Sequence, residues 1–284
     1  MTAQSYSSPT AFRQALESRL ANVAKREGVD VQRLRRQAAF DRLLARLFAD
    51  PVSMWLLKGG YAMELRLATS RTTRDIDLMT RQFPRGEELL SGRLLQHLQD
   101  AAATDLGDYF VFAIGEAMMD LDAAPYGGAR FPVEARMDGR TFARFHIDVG
   151  AGDPVLEPLE QVQGRDWLDF AGIPALSVTM ISREQQFAEK LHAYTLPRTG
   201  PSNTRVRDLL DMLLLFQAGL DPARTRDAIQ SIFERRKTHS PPEEFPSPPE
   251  SWAAPFAAMA KECRVDITIE LAVQEVARFY AGLE

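Results

Sequence analysis

One window, residues 56–79, limits the possible folds more than any other part of this 284-residue chain. An apolar run, Met54 to Leu57, stops at Lys58 and a glycine pair, Gly59-Gly60. An amphipathic stretch follows, and then Asp75 and Asp77 alternate with Ile76 and Leu78. Residues two apart in a strand point to the same face. The second run therefore presents two carboxylates together while its aliphatics enter a core. Strand, glycine turn, helix and strand in that order predict a mixed α/β layer. Backbone amides at a glycine helix start can approach phosphate closely. Paired carboxylates beside such a turn suit a metal-bound nucleoside triphosphate, with Asp75 and Asp77 as metal ligands.

Other residues of the window fit the same chemistry. Lys58 would neutralise phosphate, and Arg71 suits a bidentate phosphate contact. Thr73 lies beside the proposed metal ligands; phosphorylating it would put about −1.5 to −2 charges where a triphosphate must bind. Each feature also has a purely structural reading. Gly59-Gly60 serves as a turn, Lys58 as a solvated strand end, and Arg74 as a surface charge. The order of the whole set favours the functional one.

Ser8-Pro9 is an N-cap followed by proline at the first helical position, and Phe12, Leu16, Leu20 and Val23 recur at helical spacing until Gly28. A second helix is expected from Asp30 to Asp50-Pro51, and another over Glu87–Ala103. Tyr109–Ile114 is a β-rich run. Phe131–Met137 and Thr141–Val149 flank Asp138-Gly139, which predicts a hairpin. In its second arm Phe145, Ile147 and Val149 share one face and His146 and Asp148 the other, so a third carboxylate leaves a strand downstream. From about residue 180 the pattern turns helical. Ser182 with Gln185 has capping-box spacing, residues 198–204 read as a loop, and helices follow through Val206–Leu214 and Asp221–Lys237. The proline-rich stretch 240–255 reads as an irregular loop, and a last helix spans Ile267–Ala281. Two domains are expected: residues 1–175, mixed α/β, and residues 176–284, helical.

The glycine pair followed by Asp-x-Asp resembles the DNA polymerase-β-like nucleotidyltransferases. The longer string, Lys-Gly-Gly and then Ser-Arg-Thr-Thr-Arg-Asp-Ile-Asp, more narrowly resembles the AbiEii/AbiGii toxins and their MenT-type relatives. Gln186 to Ala193 and Arg207 to Asp211 look like that family's later Lys and Asp helices. The resemblance implies a nucleotidyltransferase lobe with a mixed sheet, a helical lobe after it, and an active site in the cleft between them. It implies Asp148 as the third ligand of a two-Mg²⁺ site. It also gives Lys190 a role on triphosphate oxygens, where positive charge offsets the leaving pyrophosphate. Asp211 is the functional acid of its helix and Asp208 a contact to Lys190 or the nucleotide. The implied reaction is Mg²⁺-dependent attack of an acceptor hydroxyl on the α-phosphate of an NTP. The implied biology is a toxin with a cognate antitoxin, and for the MenT branch an RNA acceptor, the tRNA 3′ end, whose extension or blockage would stop aminoacylation and translation.

Composition narrows the alternatives. No apolar run approaches the ~20 residues that span a bilayer, and Met1–Pro9 lack the apolar core of a secretory signal. With Cys263 the only cysteine, no intrachain disulfide is possible, which fits a cytoplasmic protein. The four histidines lack ligand spacing for structural zinc. A net charge of −5 argues against indiscriminate nucleic-acid binding. Residues 1–50 nevertheless carry nine basic and five acidic side chains, which makes helices 13–46 a candidate contact for RNA phosphates; solvated helix faces are the alternative. Two rival functions remain at this point: nucleotidylation of a small molecule or protein side chain, and a catalytically silent fold-mate acting as a binding protein. The intact carboxylate pair argues against silence.

Overall fold

The computed structural model describes residues 6–50, 52–67, 71–81, 90–121, 124–197 and 205–283. The expected start of a helix at Glu87 and the loop 198–204 lie outside them. Contacts divide the chain into two units. The first comprises residues 1–61, 72–152 and 161–180; the second comprises 62–71, 153–160 and 181–284. The second unit thus takes two short stretches from the middle of the sequence as well as the helical C-terminal part.

In chain order the elements begin with α1 (Pro9–Glu27) and α2 (Val31–Leu47). The Ser8 side chain caps α1, Gly28 ends it at φ 67°, and Asp30 caps α2. Next come β1 (Trp55–Lys58), α3 (Gly59–Arg66), β2 (Asp75–Thr80), α4 (Leu90–Ala102), β3 (Val111–Ile114) and β4 (Met119–Asp120). The hairpin follows as β5 (Gly128–Met137) and β6 (Arg140–Ala151), and then the short strands β7 (Glu160–Gln163) and β8 (Ser177–Met180). The helical part is α5 (Arg183–Thr195), α6 (Val206–Gln217), α7 (Pro222–Arg236), α8 (Ala253–Glu262) and α9 (Ile269–Ala281).

The sheet runs β3-β5-β6-β2-β1-β8-β7, with β4 added against β5. The β2–β6 and β1–β8 pairs are parallel; β1–β2, β3–β5, β4–β5 and β5–β6 are antiparallel. This is the mixed α/β fold expected from the sequence. Ile76, Leu78, Ile147 and Val149 are fully buried beneath the sheet. Phe40 of α2 packs edge-on against Tyr61 and Phe145, at centroid distances of 4.9 and 4.7 Å.

Four basic residues of α1 and α2, namely Arg13, Arg35, Arg42 and Arg46, are engaged inside this unit, which removes these four from the candidate RNA-phosphate contact over helices 13–46. Arg13 donates to the carbonyls of Met137, Arg140 and Thr141. Arg35 donates to Glu17 at 2.8 Å. Buried Arg42 and Arg46 both clamp the carboxylate of Asp108 at 2.7 Å. Arg19, Lys25 and Arg26 are exposed, as the solvated-face alternative expects.

Another α2 residue, Asp41, is buried with its carboxylate accepting from the Tyr61 hydroxyl at 2.5 Å and from the Trp167 indole N–H at 2.8 Å. Burial pushes its pKa up to about 7, against the pull of those donors. A folded-state pKa raised above the unfolded value stabilises at low pH, and the benefit is lost as pH rises. Between about pH 4 and 7 the wild type should lose roughly 1.4 kcal/mol per pH unit through this group. Asp41→Asn should remove that slope in urea titrations across the window. An unchanged slope in the variant would show that Asp41 is ionised when folded.

In the second unit α6 is buried without interruption from Asp208 to Leu215, the mark of a helix enclosed by others. Leu209, Leu210, Leu213 and Leu214 share a core with Phe187 and Leu191 of α5, Ile232 and Phe233 of α7, and Phe256 of α8. Helix α8 and strands β4, β7 and β8 have no counterpart in the sequence reading. The strands are two to four residues long, too short to show a period. Among the described residues no helix is long and apolar enough to cross a membrane.

Candidate active site

Register across the first unit's sheet assembles the site. Lys58 on β1 pairs with Asp77 on β2, Asp77 with Asp148 on β6, and Asp148 with Arg130 on β5. Directly opposed residues share a face, so one row of side chains reads cation, carboxylate, carboxylate, cation. One pleat along, Asp75 pairs with His146. Asp75, Asp77 and Asp148 are therefore brought to a single face, as the alternating pattern required.

Local contacts set each group. The His146 Nδ1 lies 3.1 Å from Asp75 Oδ1. Arg130 grips Asp148 with two bonds of 2.7 Å and reaches Asp75 at 3.7 Å. The hydrogen bonds to Asp148 hold the Arg130 guanidinium charged, above its ordinary range. The Asp77 Oδ2 accepts from the Gly60 amide at 3.2 Å, so this carboxylate sits at the start of α3. Gly59 has φ 67°, and a Cβ there would lie 2.0 Å from Asp77 Oδ2. Glycine is required both by the left-handed backbone and by the carboxylate above it. Gly59→Ala should cost about a hundredfold in transfer rate by displacing Asp77. A rate within threefold of wild type would disprove that coupling.

The donor set fits Mg²⁺, which takes hard oxygen ligands from one or two carboxylates together with substrate phosphates and water. Among the described residues no three acidic, His or Cys side chains converge tightly enough to hold a metal on their own. Asp75 and Asp77 form a two-carboxylate platform. Both oxygens of Asp148 are taken by Arg130. Arg130 is the residue that sequence reasoning missed, whereas His146 was visible on the face of Asp148.

The second unit holds the other proposed residues. The Lys190 ammonium bridges Asp208 at 3.1 Å and Asp211 at 2.8 Å. Arg71 binds Asp211 in bidentate fashion at 3.1 and 3.0 Å, and Arg205 lies 3.4 Å from Asp208. Asp208 and Asp211 are buried. Burial opposes the charge of Lys190, but Asp211 and Asp208 outweigh it and raise its pKa. Burial likewise opposes ionisation of Asp211, and Lys190 and Arg71 outweigh it. The result is a fixed, permanently charged lysine. The guanidinium fork of Arg71, expected on phosphate, is used here on a carboxylate. Thr73 belongs to the first unit, with its hydroxyl 3.5 Å from the Asp75 carbonyl. His192 is a packed histidine: burial, with Arg236 nearby, lowers its pKa to about 3.

A carboxylate pair on one strand faces the glycine start of the preceding helix, an arrangement that suits the binding of a metal-bound nucleoside triphosphate. The family model described as "Nucleotidyl transferase AbiEii toxin, Type IV TA system" matches residues 42–277, and the chain belongs to that family. The resemblance carried by the Lys-Gly-Gly and Asp-Ile-Asp strings is thereby confirmed. The fold is similar to that of MenT4, the nucleotidyltransferase toxin Rv2826c of Mycobacterium tuberculosis H37Rv. That match has a TM-score of 0.58 and 16% identity over 93% of this chain and 99% of that one. It is also similar to JHP933 of Helicobacter pylori, with a TM-score of 0.51 and 14% identity over 89% and 92% of the two chains. No curated protein matches the chain by sequence. Membership of a toxin–antitoxin family implies an NTP substrate and an antitoxin partner.

Proposed function

We propose that this toxin transfers a nucleoside monophosphate from an NTP to the 3′-hydroxyl of RNA, with the tRNA 3′ end as acceptor, so that aminoacylation and translation stop. The observation that carries the reading is the Asp75/Asp77 pair seated against the Gly59-Gly60 turn. The acceptor oxygen bonds to the α-phosphorus, the bond to the β-phosphate oxygen breaks, pyrophosphate leaves, and the hydroxyl proton passes to solvent.

Asp75 and Asp77 would hold Mg²⁺, with Asp148 joining when Arg130 releases it. When bound, the metal pair lowers the pKa of the attacking hydroxyl and neutralises charge on the triphosphate. The Gly60 amide and Lys58 favour phosphate oxygens at the helix start, and Thr73, whose hydroxyl meets the Asp75 carbonyl, stands just before the strand that carries the carboxylates. Lys190, kept charged by Asp208 and Asp211, offsets charge building on pyrophosphate, and Arg71 fixes Asp211 in that task.

Each α-labelled NTP, incubated with Mg²⁺, total RNA and the full chain, tests the proposal. Label in tRNA-sized RNA supports it. Label in protein or small molecules would replace RNA as the acceptor, and no label with any acceptor would indicate a silent fold-mate.

A further inference from the structure

A cavity of about 670 Å³ opens within the first unit beside Asp75. Its walls carry four guanidinium groups: Arg36 of α2, Arg74 just before β2, Arg130 of β5 and Arg144 of β6. Two of them are already matched, Arg130 by Asp148 and Arg144 by Glu134 at 2.7 Å. Glu134, the other acid of the cavity besides Asp75, is further neutralised by Arg136. Neither Arg36 nor Arg74 has an acidic partner among the described residues, and the Arg36 Nε is shielded from solvent without a hydrogen-bond partner. Pro132 and Val133 give the cavity an apolar wall. Fixed positive charge, an unsatisfied buried donor and an apolar wall together suit a nucleotide with its phosphate.

Position selects which nucleotide. Asp77 lies under the Gly60 amide, the phosphate-favouring side of the carboxylate pair, while Asp75 borders the cavity. In-line displacement places the attacking oxygen and the leaving pyrophosphate on opposite sides of the α-phosphorus. We infer that this arginine-lined cavity seats the 3′-terminal phosphodiesters of the acceptor RNA, with Arg36 and Arg74 as the phosphate contacts. The inference rests on the transfer reading above for the identity of the acceptor. A protein acceptor would bring a hydroxyl without phosphates and leave the two arginines unmatched.

The test uses the full chain and a fluorescent RNA hairpin ending in a single-stranded 3′ tail, without NTP, titrated over a range of salt. Arg36→Ala/Arg74→Ala should bind it about tenfold or more weakly near 0.1 M salt. The slope of log affinity against log salt should flatten by about 1.4, some 0.7 for each lost contact to a single strand. Binding of a fluorescent NTP analogue should not change. Arg74→Ala alone, at an exposed position, should flatten the slope by about half as much and guards against misfolding of the double variant. Equal RNA affinity and slope in wild type and variants would overturn the inference, as would transfer onto protein that ignores both arginines. The two readings fail separately. If the variants lose RNA binding but the wild type labels no RNA, the cavity stands and the transfer reading falls. If labelled RNA forms equally well in all variants, the transfer reading stands and the cavity assignment falls.

Discussion

Asp77→Asn should transfer no more than about a thousandth of the nucleotide label that the wild type transfers, a loss near 4 kcal/mol in the transition state. The substitution is chosen for what it keeps. The Asn carbonyl can still accept from the Gly60 amide as Asp77 Oδ2 does at 3.2 Å, so the start of α3 stays anchored. What disappears is one negative charge of the pair that would hold Mg²⁺. The melting temperature should stay within a few degrees of wild type, and NTP affinity measured in Mg²⁺ should fall along with the rate. A variant retaining more than a tenth of the transfer rate would remove Asp77 from the metal site. Growth arrest on expression, relieved by the same substitution, is the cellular counterpart.

The largest stability effect should come from Asp108→Ala. The Asp108 carboxylate has no solvent exposure and accepts from Arg42 at 2.7 Å, from Arg46 at 2.7 and 2.9 Å, and from the Phe110 amide at 3.0 Å. Removing it strands two buried guanidinium groups, a loss of about 3–5 kcal/mol. Urea unfolding at neutral pH measures this directly, and a loss below about 1 kcal/mol would mean that the arginines find water or new partners. Acid should reproduce part of the effect. Burial works against ionisation of Asp108, but Arg46 and Arg42 outweigh it and lower its pKa. A lowered folded-state pKa gives stability that is present above the unfolded value and lost as pH falls through the folded one. Asp211 adds to the same acid limb for the same reason. This limb lies below pH 4, separate from the Asp41 slope.

The residues that were legible in the sequence are those whose meaning is local. Ser8, Gly28, Asp30 and Ser182 cap helices through neighbours a few positions away. The alternation Asp75-Ile76-Asp77-Leu78 sorts polar from buried without reference to any other strand. Asp138-Gly139 adopts positive φ at both residues, as a two-residue hairpin turn demands. Arg130 was illegible for a specific reason. Counting back from that turn pairs Met137 with Arg140 and Arg136 with Thr141, and the same count would set Arg130 opposite Ile147. A bulge between Ala135 and Arg136 shifts the ladder by one residue, so Ala135 meets Ala143 and Arg130 meets Asp148. A register shift of one residue exchanges the partner's faces, and no residue in the segment announces it. The ties of Arg42 and Arg46 to Asp108 were hidden similarly, because burial of a charge pair depends on contacts some 60 residues apart.

The stretches 62–71 and 153–160 belong with the residues after Ile181, and this governs how the protein can be made and cut. Arg71 supplies a partner to Asp211, and Asp153 binds Arg236 at 2.8 and 2.9 Å. A fragment beginning at Ile181 would keep Lys190 beside Asp211 but lose the bidentate partners of both charges, Arg71 and Asp153. During synthesis, Leu67 and Leu156 must wait in the emerging chain for the helices they pack against. The second unit cannot close until α9, which supplies Ala272 and Val276 to the same core, has been delivered. For a toxin, that delay leaves an interval in which the nascent chain is present and its Lys190–Asp211 pair is not yet assembled.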